Sequence, residues 1–387
     1  MNQQEIYEKN ERLRRHILSL ADKQSWQRTL TMTGESIKEF ENESWLSEVD
    51  TVYIVGHGTS LATALNAESW FAHIAKVNAR AIPAFQFSRY AEDFLIKPEK
   101  TLVVGISCSG NTESVVQSLD IANKRGAITV CLSGKEDMTA AKVAKYRIVT
   151  DAHADIAIKL SAYSNSHIYL ALGAYRLATV IGSRNGSLNG TQIGYWQEQL
   201  DHLISSMKCL PTLYDRMGEL SEVLPKARVP AFVVLGSGPN IGTAKEGALK
   251  ISEFSWVFGA AEELEDFAHG RFREVDSKIP LFIISPKGKV SEKTMDLLAG
   301  SSIAQTPTII ITDTVTPAME KLATHIVTMP EIQDEYLTPF LYIFPLWFYG
   351  FHIRHAEGGI VGEARHNLFA VDINFKAHYD ESGKKLL

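Results

Sequence analysis

The chain is poor in cysteine, with only Cys108, Cys131 and Cys209 among 387 residues. Their spacing fits no metal-binding pattern, and an odd, low count speaks against a disulfide framework and suits a reducing compartment. No apolar run approaches the ~18–20 residues of a membrane helix. The opening stretch, MNQQEIYEKNERLRRH, is polar and charged and does not read as a signal peptide. A cytoplasmic protein is the expectation. Basic residues show no excess: 39 Lys and Arg against 45 Asp and Glu leave a net charge of −6. With no basic stripe either, this argues against a general nucleic-acid binder. Several motifs are missing as well. Gly56-His57-Gly58 lacks the third glycine of a dinucleotide fingerprint, no Gly-Lys-Ser/Thr follows it, and no His-Glu-x-x-His occurs. Neither a metal nor an organic cofactor is expected.

What is present is a full-sized α/β chain. Hydrophobic content of 45% and this length allow two domains with real cores. Residues 3–47 read as helical. Short apolar runs then follow at Asp50–Gly56, Ala81–Phe85, Leu102–Ile106, Ile128–Leu132 and Arg147–Val149, with helical segments such as Leu61–Ala75 and Ser114–Arg125 between them. Such alternation predicts a parallel sheet covered on both faces. The pattern restarts with strands at Pro230–Leu235, Ile279–Ser285, Pro307–Thr312 and His325–Met329. Val52–Phe71 and Phe232–Trp256 share one plan, a strand, a glycine-rich turn and an Ala-rich helix, which points to duplication. The expected fold is two doubly wound parallel-sheet α/β domains in tandem. The expected boundaries are a helical segment over 1–47, a first domain over 48–190, a helical linker over 191–228, a second domain over 229–360 and a tail over 361–387.

The most informative stretch is Ser107-Cys108-Ser109-Gly110-Asn111-Thr112. It follows a buried strand and precedes a helix predicted to begin near Glu113. Hydroxyls and backbone N–H groups at a helix N-terminus make a cradle for a tetrahedral anion. The hydrolase elbow Gly-x-Ser-x-Gly fails here, because Ser109 stands where the last glycine belongs. Cys108 reads as a small pocket residue or, alternatively, a reactive thiol. Thr59 and Ser60 open the first helix of the first half, either as caps or as part of an anion or sugar pocket. On the matching helix of the second half, Glu246 and Lys250 are four apart. This spacing fits an ion pair on a solvated face, while Glu253, three beyond Lys250 and near aromatics, fits a general base. Farther on, Asp266 and His269 lie in a dense polar stretch, either an acidic loop or an acid–base pair.

Taken together, Gly-Thr-Ser after the first strand, Ser-x-Ser-Gly-x-Thr, and Glu-Gly-Ala-Leu-Lys-x-x-Glu followed by His-Gly resemble the doubled sugar isomerase (SIS) domain family. The resemblance covers roughly residues 48–370. It implies that Thr59, Ser60, Ser107, Cys108, Ser109 and Thr112 surround the anionic end of a sugar. It implies that Glu253 moves a proton between C1 and C2, that Lys250 supports it, and that His269 assists ring opening from a neighbouring subunit of a homodimer. Three departures stand out. Only about 50 residues precede the first strand, so glutamine-dependent amination is not expected. Ala370 stands where the resemblance implies a Schiff-base lysine in the tail of some family members, with Lys376 out of register. Arg271 replaces the usual proline after His269-Gly270, with Arg273 close behind. The implied function is aldose–ketose isomerisation of a six-carbon sugar bearing an anion at C6, phosphate or sulfonate. A deglycase or deaminase of an Amadori or aminosugar phosphate is the alternative, and a non-catalytic sugar-phosphate sensor is a second one. No membrane or nucleic-acid partner is expected.

Overall fold

The computed structural model describes residues 2–157 and 164–365. Two helices lead in, α1 (Gln3–Leu18) and α2 (Lys23–Lys38). Asn2 opens α1 with a reciprocal capping box to Glu5, which satisfies two otherwise orphaned N–H groups. The first half then alternates β1 (Thr51–Gly56), α3 (Thr59–His73), β2 (Asn78–Pro83), β3 (Thr101–Ile106), α4 (Glu113–Lys124), β4 (Ile128–Ser133) and β5 (Tyr146–Val149). Three long helices follow: α5 (Asn165–Arg184), α6 (Gly190–Ser206) and α7 (Leu210–Val223). The second half contains β6 (Ala231–Leu235), α8 (Ile241–Ser255), β7 (Phe258–Glu262), β8 (Leu281–Ile284), α9 (Ser291–Ile303), β9 (Thr308–Thr312), β10 (His325–Thr328) and α10 (Phe344–Ala356).

Both sheets are five-stranded and wholly parallel. Their orders are β2-β1-β3-β4-β5 and β10-β9-β8-β6-β7. The second order is the first read from the other edge, so the tandem doubly wound architecture expected from the repeat is the observed one. Every residue of β3 and of β8 is buried, as strands covered on both faces require.

Two strand readings need correction. The run Ala81–Phe85 is not one element: β2 spans Asn78–Pro83 and a short helix starts at Ala84. Pro83 has no N–H for further pairing, which ends the ladder there. β7 was not legible at all. Its sequence, Phe-Gly-Ala-Ala-Glu, has no β-branched residue, and it lies at the sheet edge with Phe258 74% exposed.

The halves are packed together, not merely strung in sequence. α3 of the first half lies against α8 of the second. Gly242 makes this approach possible: a Cβ there would fall 2.4 Å from the Ala62 carbonyl oxygen. The apolar α10, buried along most of its length, packs between α7 and α8. The largest hydrophobic cluster runs unbroken from the N-terminal helices through both sheets to α10.

Candidate active site

The first crevice lies where the strand order reverses, between β1 and β3, beyond their carboxyl ends. Open α/β sheets bind ligands at such points. The turn after β3 is held by its own side chains. Ser107 is buried, accepts from the Gly110 N–H at 3.0 Å and lies 3.1 Å from the Thr112 hydroxyl. Asn111 Oδ1 accepts from both the backbone and the hydroxyl of Thr139. Gly110 has φ of +64°, and a Cβ would strike Met138 at 2.3 Å, so only glycine fits. The N–H groups of Thr112, Glu113 and Ser114 have no protein acceptor among the described residues, and α4 has no side-chain cap. Those donors face the position an anion takes at a helix N-terminus. His57 pins this turn to the one after β1, with Nε2 2.8 Å from Ser114 Oγ and accepting from Phe85 N at 3.2 Å. Burial lowers the His57 pKa, which keeps the ring neutral and able to accept.

Cys108 does not face this opening as a free thiol. It is buried, its sulfur donates to the Ala152 carbonyl at 3.3 Å, and burial pushes its pKa up to about 12, with Asp155 adding to the rise. The reactive-thiol alternative has no support in that setting. The side chain of Ser60 is half-buried at the start of α3 and makes no described hydrogen bond, so its hydroxyl is available.

Across the crevice, α8 overturns the solvated-face reading of Glu246 and Lys250. Both are essentially inaccessible, at 0% and 1% exposure. Lys250 Nζ lies 3.5 Å from Glu246, 2.7 Å from Glu253 and 2.9 Å from the Thr59 hydroxyl of the other half. Burial pulls the Lys250 pKa down, but Glu246 and Glu253 more than reverse this and the net shift is upward. The ammonium is therefore permanent at neutral pH. Burial lifts the Glu246 carboxyl to about 7, while Lys250 pulls it back and Glu253 pushes it further up. Thr59 lies 3.3 Å from the bonded oxygen of Glu246, whose second oxygen has no partner among the described residues. Glu253 is the accessible member, with its side chain 40% exposed. A buried cation thus holds one carboxylate at a solvent-reachable surface and ties it to the first residue of α3.

Sequence reasoning missed the supports behind these groups. His167, at the start of α5, is buried beside Thr63 at 2.9 Å. Burial, then the charge of Lys250, takes its pKa down to about 3, so it stays neutral. Asp155 is also buried and accepts the N–H groups of Ser164 and Ser166 at the start of α5. Ser164-Asn165-Ser166-His167 ahead of an apolar helix was the available signal.

His269 is not brought to Glu253 within the chain. Its ring is 75% exposed and pairs with Glu265 at 2.9 Å. Arg271 spends its charge on Glu262 and Glu274. Arg273 is exposed and makes no described ion pair. The positions of Ala370 and Lys376 lie outside the described residues. Among the described residues no group of three or more His, Cys, Asp or Glu side chains can hold a metal ion, and no helix is long and apolar enough to cross a membrane.

Comparison with known proteins agrees with this fold. The glutamine–fructose-6-phosphate aminotransferase of Thermococcus kodakarensis is 26% identical over 321 residues, covering 81% of this chain and 50% of that protein. The chain thus spans about half the length of the curated relatives it matches. The C-terminal domain of glucosamine-fructose-6-phosphate aminotransferase from Francisella tularensis superposes with a TM-score of 0.77 at 20% identity, covering 92% of this chain and 96% of that one. Tagatose-6-phosphate ketose/aldose isomerase from Escherichia coli gives 0.68 at 16%, covering 89% of this chain and 93% of that one. At these identities the likeness to solved structures establishes the fold. The SIS domain model matches twice, over residues 45–179 and 228–348, and the chain belongs to the SIS domain family.

Proposed function

We propose that the protein is an aldose–ketose isomerase of a six-carbon sugar carrying a phosphate at C6. The observation that carries this reading is the position of Lys250, which bonds Glu253 on one side and Thr59, next to Ser60, on the other. The helix that opens the first crevice and an accessible carboxylate are thereby set on one frame.

The anion sits on the free N–H groups at the start of α4 with the hydroxyls of Ser60, Ser109 and Thr112 around it. Binding energy from this remote group positions C1 and C2. Glu253 takes a proton from one carbon and returns it to the other through a cis-enediol. The fixed charge of Lys250 favours the oxyanion that develops. Ring opening is assigned to His269 of a second copy, because in its own chain that ring is exposed and, among the described residues, pairs with Glu265 alone.

The test is turnover of fructose 6-phosphate and other hexose phosphates in deuterated water, followed by NMR. The expected result is deuterium at C2 of the aldose product and loss of turnover in Glu253→Gln. Ammonia or amino-acid release from an aminosugar or Amadori phosphate would replace isomerisation with deamination or deglycation. Full activity of Glu253→Gln would remove Glu253 from the chemistry.

A further inference from the structure

The duplicated fold has a second reversal of strand order, between β6 and β8. Beyond the ends of these strands lies a small, partly open cleft of about 80 Å³, lined by Ser237 and Asn240 after β6, Lys289 before α9, and Glu335 and Tyr336. None of these residues belongs to the candidate active site; the contrast drawn with the first crevice rests on its proposed anion binding, but not on the reaction.

Asn240 points to a ligand. Thr338 donates its hydroxyl to the Glu335 carbonyl at 2.6 Å, so towards Asn240 it accepts, from Nδ2 at 2.8 Å. The amide orientation is thereby fixed and Oδ1 is the free end. Asn240 is 2% exposed, and that oxygen has no partner among the described residues. A buried acceptor of this kind is normally satisfied.

Glu335 sets which ligand fits. One of its carboxylate oxygens lies 3.3 Å from Lys289 Nζ, and the other accepts from the Lys289 N–H at 3.5 Å. The chain's own carboxylate therefore occupies the place at this turn that an anion takes in the first half. Lys289 also reaches the Tyr336 hydroxyl at 3.4 Å. The cleft thus offers acceptors, Asn240 Oδ1 and the Glu335 carboxylate, beside one ammonium donor. Phosphate and sulfonate bring acceptors and negative charge and are rejected. A hydroxyl donates one hydrogen and accepts others, so neighbouring hydroxyls match both kinds of group. We propose that this cleft binds an uncharged sugar or polyol through adjacent hydroxyls, as a site separate from the first crevice and opposite to it in charge preference.

The test is saturation-transfer NMR on the full chain, with fructose and fructose 6-phosphate as probes. Ser109→Ala serves as a background that weakens the first crevice. Fructose transfer is expected to persist in that background and to vanish with Asn240→Ala. Should Asn240→Ala fail to fold, Glu335→Gln at the rim reads the same site. It is expected to lower fructose affinity about fivefold to tenfold, as a charge-assisted bond becomes a neutral one, and to admit a second equivalent of fructose 6-phosphate. Absence of fructose transfer, indifference to Glu335→Gln, or two equivalents of fructose 6-phosphate in the unaltered chain would overturn the proposal.

Discussion

The ammonium of Lys250 donates to the Thr59 hydroxyl at 2.9 Å, and this bond joins the helix that carries Glu253 to the helix that opens the first crevice. Replacing Lys250 with methionine keeps the volume and removes the charge. Breaking a buried pair from one side costs about 3–5 kcal/mol, here offset in part because Glu246 takes up a proton. Turnover is expected to fall at least about a hundredfold through loss of the oxyanion's counter-charge, measured beside a thermal unfolding midpoint.

Thr59 acts through Lys250, so it is a positioning residue. Thr59→Val should lower kcat about tenfold with little change in KM, since the anion-binding donors of α4 are untouched. Thr59→Ser restores the hydroxyl and should restore kcat. Recovery in neither kinetic constant would mean that the hydroxyl serves packing alone.

Glu246 makes stability depend on pH. Its folded pKa of about 7 lies above the ordinary 4.5, so the folded state holds the proton more tightly than the unfolded one. That contribution is complete below pH 4.5 and is lost as the pH rises through 7. The difference amounts to on the order of 3 kcal/mol. Glu246→Gln mimics the protonated form. Its unfolding midpoint should therefore overtake that of the parent chain as the pH is raised from 4.5 to 8. Parallel curves would show that the carboxylate is ionised throughout.

The two serines of the turn should separate cleanly. Ser107 holds Gly110 and Thr112, and Ser107→Ala is expected to cost about 1 kcal/mol of stability. Among the described residues Ser109 accepts one long 3.4 Å bond, from Asn111 N, so Ser109→Ala should leave stability unchanged. It should raise KM for a phosphorylated sugar about tenfold, the effect of one hydrogen bond to a charged group.

Glu253→Gln and His269→Ala should each be inactive alone. If a second copy supplies His269, mixing the two and allowing subunits to exchange restores roughly a quarter of the sites in a two-fold dimer. A mixture as inactive as its parts would place both groups in one chain.

Much of this was legible in the residues. Strands such as Leu102–Ile106 and Thr308–Thr312 announced themselves as unbroken apolar runs, and the hydroxyl turn stood at a strand end where phosphate sites occur. β7 was hidden because an edge strand can be built from Gly and Ala when its neighbour supplies the ladder. The burial of Glu246 and Lys250 was hidden for another reason. An i,i+4 pair looks the same on a wet face as in a core, and only the close approach of α3 at Gly242 decides between them. His167 and Asp155 gave no periodic signal, since each acts by holding another element in place.

The crossing at Gly242 has a consequence for how the chain can be divided. Cut between α7 and β6, the second fragment would bring Lys250 and Glu246 into water, where the carboxyl returns to its ordinary range and the ammonium is screened. The first fragment would keep its hydroxyl turn but face no base. The pieces would be two binders with no chemistry between them, and activity in a mixture would measure the strength of the α3–α8 contact itself.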